Sequence, residues 1–345
     1  MKLSARIFLF GAAGALSIGV ASAQILPPRA PNWYEATGGP FGPKHNAVAP
    51  SGRFAPMMTF DGGHNVTVLF GGVSASTLGP ISESDTWFWN GSVWTETVPA
   101  VSPHGREGSR LVYDPITNTS LLFAGSYFID SGITFTLDDT WIWNGSNWIE
   151  KFPANSPSAR YGFGMTYDAT HGVIVLFGGS NGVTELNDTW TWNGSNWTQL
   201  NPPNSPSARF QPTMTYDAAN GNVVMFGGAG QTGGILADTW IWDGTSWTQV
   251  APATSPSPRY GAAMVYDTAE TRTVMFGGDA FNGTLEDTWT WTGTNWIQVS
   301  PIDVPMGRFY AGAAYDSAHG QFVMFAGGYG TTSGDIYLDS TYLWY

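Results

Sequence analysis

One sequence word, built around closely spaced tryptophans, recurs along the chain and restricts the folds available to it. Residues Asp188–Trp197 read DTWTWNGSNW. Close copies of this word occur at Asp85–Trp94, Asp139–Trp148, Asp238–Trp247 and Asp287–Trp296. Repetition of this kind indicates a repeat architecture, in which each unit is a small group of elements that packs against its neighbours.

Other residues recur in register with this word. An arginine opens each of six units, and the spacings between successive arginines are 53, 54, 49, 50 and 49 residues. An aspartate stands eight residues after each arginine, and nine residues later a phenylalanine opens FGG or FAG. The units begin near Arg53, Arg106, Arg160, Arg209, Arg259 and Arg308.

Each unit has the pattern of four short strands. In the third unit these are RYGFGMTYD, VIVLFGG, DTWTW and NWTQL. Alternation with period two places both tryptophans of DTWTW on one strand face, and Asn193-Gly194 predicts a two-residue hairpin turn with positive φ. The sixth unit lacks a fourth strand, whereas Asn32–Glu35 has the pattern of an orphan one. The sequence predicts an all-β, six-bladed β-propeller, closed by an N-terminal strand that pairs with the last blade.

The combination of FGG, Asp-x-Trp and a later single tryptophan resembles the kelch repeat. The Gly-His and Trp-Asp signatures of a WD-type propeller are missing. The resemblance implies a class that includes the central domain of galactose oxidase, bacterial periplasmic sialate mutarotases and domains that only bind protein ligands. Galactose oxidase chemistry needs a tyrosine cross-linked to cysteine, and the chain has no cysteine, so a copper-radical oxidase is excluded. We expect no cofactor and no metal site.

The N-terminus has the pattern of an export signal. Lys2 and Arg6 precede the apolar run Ile7–Val20, and Ala21-Ser22-Ala23 offers the small residues of a cleavage site. We expect a signal peptide at 1–23, a linker at 24–31 and the propeller at 32–345, in a periplasmic or secreted monomer that is not inserted in a membrane. Removal of Lys2 and Arg6 changes the formal net charge from −13 to −15, which disfavours a nucleic-acid partner.

The six repeated arginines allow two interpretations. Each lies on the same rim of its blade, here the arginine rim, as the aspartate of Asp-Thr-Trp, roughly 9–10 Å away across the glycines. This arrangement favours a structural ion pair. The resemblance instead implies a ligand-facing role, because such arginines face the ligand in kelch domains that bind acidic peptides. Ser340 replaces the aspartate in the sixth unit, so Arg308 is the arginine for which an ion pair within the unit is least expected.

We expect function where the repeat is broken. In the second unit Glu107 replaces the aromatic residue that follows the other arginines, and Arg110 stands three residues later. Buried charges are costly, so the two residues either line the channel or form a local Glu107–Arg110 bridge. The segments between the glycines and the third strand are also longer in the first, second and sixth units, which are neighbours in a closed ring.

Candidate ligand-binding residues follow from these departures and from the rim arginines. They are Arg106, Glu107, Arg110, Arg308, Tyr127, Phe128, Tyr329 and Tyr337. We expect an exported binding protein that recognises a glycan or protein ligand on the arginine rim. The alternative is a metal-free carbohydrate-active enzyme resembling the sialate mutarotases, with Glu107 as the base and Arg106 or Arg110 holding an anionic sugar. That alternative rests on the shared fold alone.

Overall fold

A computed structural model of the chain describes residues 31–37, 49–77, 79–129, 134–231, 233–280, 282–331 and 334–345. The expected signal peptide and most of the expected linker lie outside these residues. Gly38–His45 and Asp130, which the sequence places in lengthened segments at the arginine rim, also lie outside them. All regular structure in the described part of the chain is β-strand. Within it, no segment forms a helix with the length and hydrophobicity that a membrane crossing requires.

The strands form six four-stranded blades, each built from an inner, a second, a third and an outer strand. Blade 1 comprises Met57–Asp61, Val66–Ser76, Gly79–Trp89 and Trp94–Thr97. Blade 2 comprises Arg110–Asp114, Thr119–Phe128, Thr134–Trp143 and Trp148–Lys151. Blade 3 comprises Gly164–Asp168, Val173–Phe177, Thr189–Trp192 and Trp197–Leu200.

The remaining three blades repeat this order. Blade 4 comprises Thr213–Asp217, Asn222–Phe226, Thr239–Trp242 and Trp247–Val250. Blade 5 comprises Ala263–Asp267, Arg272–Phe276, Thr288–Trp291 and Trp296–Val299. Blade 6 comprises Gly312–Asp316, Gln321–Phe325, Thr341–Trp344 and, as its outer strand, Trp33–Thr37. Short strands at the arginine rim are Arg53–Phe54, Arg209–Phe210, Ala229–Gly230, Asp279–Ala280, Gly283–Thr284, Gly328–Thr331 and Gly334–Tyr337.

The ring closes through the N-terminal strand. Trp33–Thr37 pairs antiparallel with Thr341–Trp344, and Trp33 lies opposite Trp344. Every inner strand contacts the inner strands of both neighbouring blades, including that of blade 6 with that of blade 1. The prediction of a six-bladed propeller closed by its N-terminal strand is confirmed.

Tryptophans hold neighbouring blades together. Six clusters of described apolar residues form the core, each shared by two neighbouring blades. The outer-strand tryptophan of every blade donates its indole N–H to the threonine of the third strand in the preceding blade, at 2.9–3.3 Å. An aromatic side chain of this size buries about 200 Å², so each seam gains hydrophobic stabilisation together with a directional bond.

The hairpin turn between third and outer strands differs from the prediction by one residue. Asn193 N–H donates to the Asn196 carbonyl, so Gly194 and Ser195 are the central residues. Only Gly194 has a positive φ, of 91°. The Asn193 side-chain oxygen instead accepts the Ser195 and Asn196 N–H groups. The predicted Asn193-Gly194 turn is therefore wrong in register, because asparagine caps the turn here and glycine supplies the backbone freedom.

Candidate functional site

Five of the six repeated arginines form buried ion pairs within their own blades. In blade 3, Arg160 donates two hydrogen bonds to the Asp188 carboxylate, at 2.7 and 2.9 Å, and a third to the Gly178 carbonyl. The Trp190 indole binds the same carboxylate at 2.7 Å. Burial alone raises the pKa of Asp188, but the hydrogen bonds and charge of Arg160 outweigh it and hold the pKa below its usual value. The other pairs are Arg53–Asp85, Arg106–Asp139, Arg209–Asp238 and Arg259–Asp287.

This geometry assigns Arg106 to the scaffold of blade 2. Its side chain is 0% exposed, and its three nitrogens bind Asp139, the Ala124 carbonyl and the His104 carbonyl. The guanidinium therefore has no donor left at the surface for a ligand. Its contacts stabilise the blade instead, as the structural interpretation of the repeated arginines proposed.

Arg308 is the exception that the sequence singled out. Ser340 and Tyr342 stand where the other blades have the aspartate and the first tryptophan. Arg308 binds Ser340 Oγ at 3.2 Å and lies 4.8 Å from the centre of the Tyr342 ring. Burial lowers its pKa to about 10, against the attraction of Tyr342, Glu35 and Asp339. Arg308 remains 2% exposed, so the missing carboxylate does not release it to the surface.

The six residues that directly follow the repeated arginines form a ring around the channel mouth. Five of these residues are aromatic and Glu107 is the sixth: Phe54, Glu107, Tyr161, Phe210, Tyr260 and Phe309, all partly exposed. The Phe210 ring occupies the space above Gly162, where an added Cβ would lie 2.0 Å from it. Glycine at 162 therefore admits the close approach of the neighbouring blade's aromatic ring.

A second ring lies one residue further along each unit. These residues all have left-handed backbone: Ala55, Gly108, Gly162, Gln211, Gly261 and Tyr310, with φ between 52° and 64°. Five of them donate their N–H to the carbonyl of the equivalent residue in the preceding blade, at 2.5–3.1 Å. Among the described residues, the sixth bond, from Gly108 to Ala55, is absent. The left-handed backbone is strained at Gln211 and Tyr310, because these residues have a Cβ. Such strain persists only where the surrounding structure holds the residue in place, and it is concentrated at functional sites.

Glu107 and Arg110 do not form the bridge that was one of the two interpretations of the pair. Within the described residues, the Glu107 carboxylate has no hydrogen bond and no ion pair. Burial raises its pKa to about 7. Gly108, with φ 62°, separates the two side chains, since Glu107 pairs with Ser126 at the rim while Arg110 opens the inner strand.

Arg110 lines a cavity of about 120 Å³ in the central channel, as the other interpretation proposed. Its guanidinium donates to the Ser109 carbonyl at 3.0 Å and to Gln211 Oε1 at 3.1 Å. Burial lowers the pKa of Arg110 to about 10, partly offset by Tyr310. Glu107 is not part of the cavity lining and lies above it, in the ring at the mouth.

The aromatic candidates lie on lengthened hairpins that rise from the arginine rim. Tyr127 stacks on Phe135, with ring centres 5.2 Å apart and planes at 17°, and also contacts His104. Phe128 donates its backbone N–H to Ser82 Oγ, so the hairpin of blade 2 contacts that of blade 1. In blades 1 and 2 the hairpin extends the pairing of the second and third strands, and in blade 6 it forms a separate ladder at the rim. These three are called here the long hairpins.

The hairpin of blade 6 joins this group across the closing seam. The ring centres of Tyr337 and of Phe54 in blade 1 are 5.0 Å apart. Tyr329 pairs with Ile336 across the two strands of the blade 6 hairpin. Each long hairpin presents an exposed apolar side chain, namely Ile81 at 47%, Phe135 at 42% and Ile336 at 51%. Ile81 and Ile336 were not among the predicted residues, although both follow from reading outward positions on the alternating hairpin strands.

Two further residues of the site escaped sequence reasoning. Gln211 and Tyr310 stand where three of the six units have glycine, and both reach the cavity of Arg110. A comparison of the units at this position would have found them. Elsewhere among the described residues, no three histidine, aspartate or glutamate side chains are grouped closely enough to hold a metal ion.

Comparison with known proteins agrees with this architecture. Residues 118–289 match a family model described as the KLHDC2/KLHL20/DRC7 Kelch-repeats domain. The match runs from the first turn of blade 2 to the third strand of blade 5. No curated protein matches the chain. Six repeats in register, a closed ring of six four-stranded blades and this family match show that the chain belongs to the kelch-repeat β-propellers.

Proposed function

We propose that this protein is an interaction module that binds a protein partner on the arginine rim, at the long hairpins of blades 6, 1 and 2. The observation that carries the proposal is the position of Ile81, Phe135 and Ile336. Three neighbouring hairpins are lengthened, and each exposes a large apolar side chain beside partly exposed aromatic rings. Clustered apolar and aromatic anchors of this kind contribute most of the binding energy at protein interfaces.

The charges on this face argue against a partner held by the rim arginines. The six repeated arginines are at most 2% exposed, so the acidic-peptide mode that the resemblance implied has no cations to use. Carboxylates on the same face, such as Asp335 and Asp138, are instead exposed. We therefore propose a partner segment that is apolar and neutral or basic, because electrostatic complementarity favours its approach to an acidic face.

Selection of binders from a random-peptide display library tests the proposal. We expect selected peptides to be apolar and not acidic, and Phe135→Ser or Ile336→Ser to weaken their binding at least about tenfold. Ile116→Ser is the matched control, because Ile116 is 70% exposed in a turn on the opposite rim. Peptides that tolerate both hairpin variants, or that lose binding equally with Ile116→Ser, contradict the proposed site.

Export and a glycan ligand stay predictions from the sequence. The basic residues and apolar run before residue 24 support export, and N-terminal sequencing of protein recovered outside the cytoplasm tests it. A glycan would use the stacked Tyr127–Phe135 pair as a platform. A glycan array tests this ligand class, with Tyr127→Ala as the variant expected to lose the signal.

One observation favours the enzymatic alternative enough to retain it. The Glu107 carboxylate lacks a partner among the described residues, and burial raises its pKa to about 7, which suits a general base near neutral pH. If the protein exchanges anomers of an acidic sugar, Glu107→Gln abolishes the exchange observed by NMR while leaving the fold intact. Exchange at the uncatalysed rate with wild-type protein contradicts this alternative.

A further inference from the structure

We propose that the central channel holds a small monovalent anion, a halide or a short carboxylate, beside Arg110. The cavity lies just beneath the ring of left-handed residues and is bounded by the inner strands of all six blades. Nothing in the interaction surface proposed above uses this cavity. The site is therefore separate from the long hairpins in both position and chemistry.

The first observation is that Arg110 has no compensating charge. The lining contains methionine, alanine and other uncharged side chains, and no carboxylate. No carboxylate of the described residues lies within 4.0 Å of the guanidinium. Its two contacts, with the Ser109 carbonyl and Gln211 Oε1, are with neutral acceptors. The Arg110 side chain keeps partial exposure, in the channel, and a cation in such a confined place is costly unless an anion or bound water accompanies it.

The second observation is that the fold does not require a charge at this position. The equivalent residues of the other units are Met57, Gly164, Thr213, Ala263 and Gly312. All five are neutral and buried. The inner strand therefore packs without an arginine, and Arg110 introduces a charge that packing alone does not explain.

The size of the cavity limits the ligand class. The cavity volume of about 120 Å³ gives room for several water molecules, since each needs roughly 10–15 Å³ of such volume. A halide or formate fits together with its remaining hydration, whereas a larger organic anion such as gluconate has to give up most of its hydration to enter. The break in the backbone ring at Gly108, two residues from Arg110, leaves an N–H that lacks the acceptor its counterparts have among the described residues.

Thermal unfolding in matched salts tests the inference. Wild-type protein is titrated with sodium chloride or sodium formate, each against sodium gluconate of equal ionic strength. We expect a saturable rise of Tm with chloride and formate, because an anion that binds only the folded state stabilises it. Arg110→Met, which installs the residue of blade 1 at this position, keeps the fold and removes the difference between the salts. Lys151→Met, a change on an outer strand, keeps it.

Chloride-35 NMR provides a second readout that does not depend on stability. Wild-type protein broadens the chloride line, formate reverses the broadening by competition, and Arg110→Met does not broaden it. Equal Tm in chloride and gluconate for wild-type protein, or an unchanged chloride response in Arg110→Met, overturns the inference. The channel would then hold water alone around the guanidinium.

Discussion

Replacement of Glu107 by glutamine should make the protein more stable at neutral and alkaline pH but not in acid. The carboxyl group has a pKa of about 7 in the folded protein, raised by burial from an ordinary 4.5. A folded-state pKa above the unfolded value means that the folded protein binds the proton more tightly, so stability falls as pH rises from about 4.5 to 7. The glutamine variant has no such proton and escapes that loss.

The size of the effect follows from the same values. A difference from 4.5 to about 7 corresponds to roughly 3 kcal/mol of unfolding free energy once the carboxylate is fully ionised. Because Glu107 keeps some contact with solvent, we expect about 2 kcal/mol. With about 2.1 cal/mol/K of unfolding entropy per residue over roughly 300 residues, Tm at pH 8 rises by about 3 °C.

The assay is thermal or urea unfolding of wild-type protein and Glu107→Gln from pH 4 to pH 8. The two proteins should have equal stability near pH 4 and separate progressively up to pH 8. Glu150→Gln, an exposed position on the outer strand of the same blade, should show no pH-dependent gap. A gap of the same size at pH 4 and pH 8, or a glutamine variant that is less stable at pH 8, refutes the assignment of a buried and unpaired carboxyl group.

Three further predictions concern the free energy of unfolding, which unfolding in urea measures. Trp148→Phe should lower the free energy of unfolding by about 1 kcal/mol more than Trp143→Phe. Trp148 donates to Thr86 across a seam, whereas the buried Trp143 N–H has no partner in the described part of the chain. Equal losses in the two variants would contradict this. Arg160→Met should lower the free energy of unfolding by roughly 3–5 kcal/mol, because it leaves the Asp188 carboxylate without its cation. Arg308→Met should lower it by less, since Ser340 replaces the aspartate there. A larger loss in Arg308→Met than in Arg160→Met would be inconsistent with this reasoning. Glu35→Gln should stabilise the protein by about 1 kcal/mol at neutral pH, because burial raises the Glu35 pKa despite the attraction of Arg308 and leaves one carboxylate oxygen unpartnered among the described residues. Blades 3, 4 and 5 already have glutamine at this position, and a destabilised variant would show that the attraction of Arg308 dominates.

The architecture was predictable from sequence because each feature that builds it occurs six times. The regular spacing of the arginine, FGG and tryptophan words fixes the strands, and Asn32–Glu35 supplies the strand that the sixth unit lacks. The Arg160–Asp188 type of pair also followed from geometry alone, since both residues open strands at the same rim. Repetition averages out the ambiguity that a single short strand would leave.

The site was less predictable because it depends on departures from the repeat and on the meeting of six inner strands at one axis. The left-handed backbone at Gly108 directs Glu107 and Arg110 to different places, which the three-residue spacing does not reveal. The cavity brings Arg110 beside Gln211 and Tyr310, residues from three different blades. No local pattern records such a meeting, although the positions at which the six units differ do indicate where to look.

Hydrogen exchange with and without a saturating peptide from the display selection tests the proposed interaction face most directly. We expect slowed exchange in the long hairpins, at residues 79–82, 126–129 and 334–337, and unchanged exchange in the opposite-rim turn that contains Ile116. Slowed exchange in the opposite-rim turns, or in the hairpins of blades 3 to 5 without any in blades 6, 1 and 2, would contradict the proposal that the long hairpins form the binding surface.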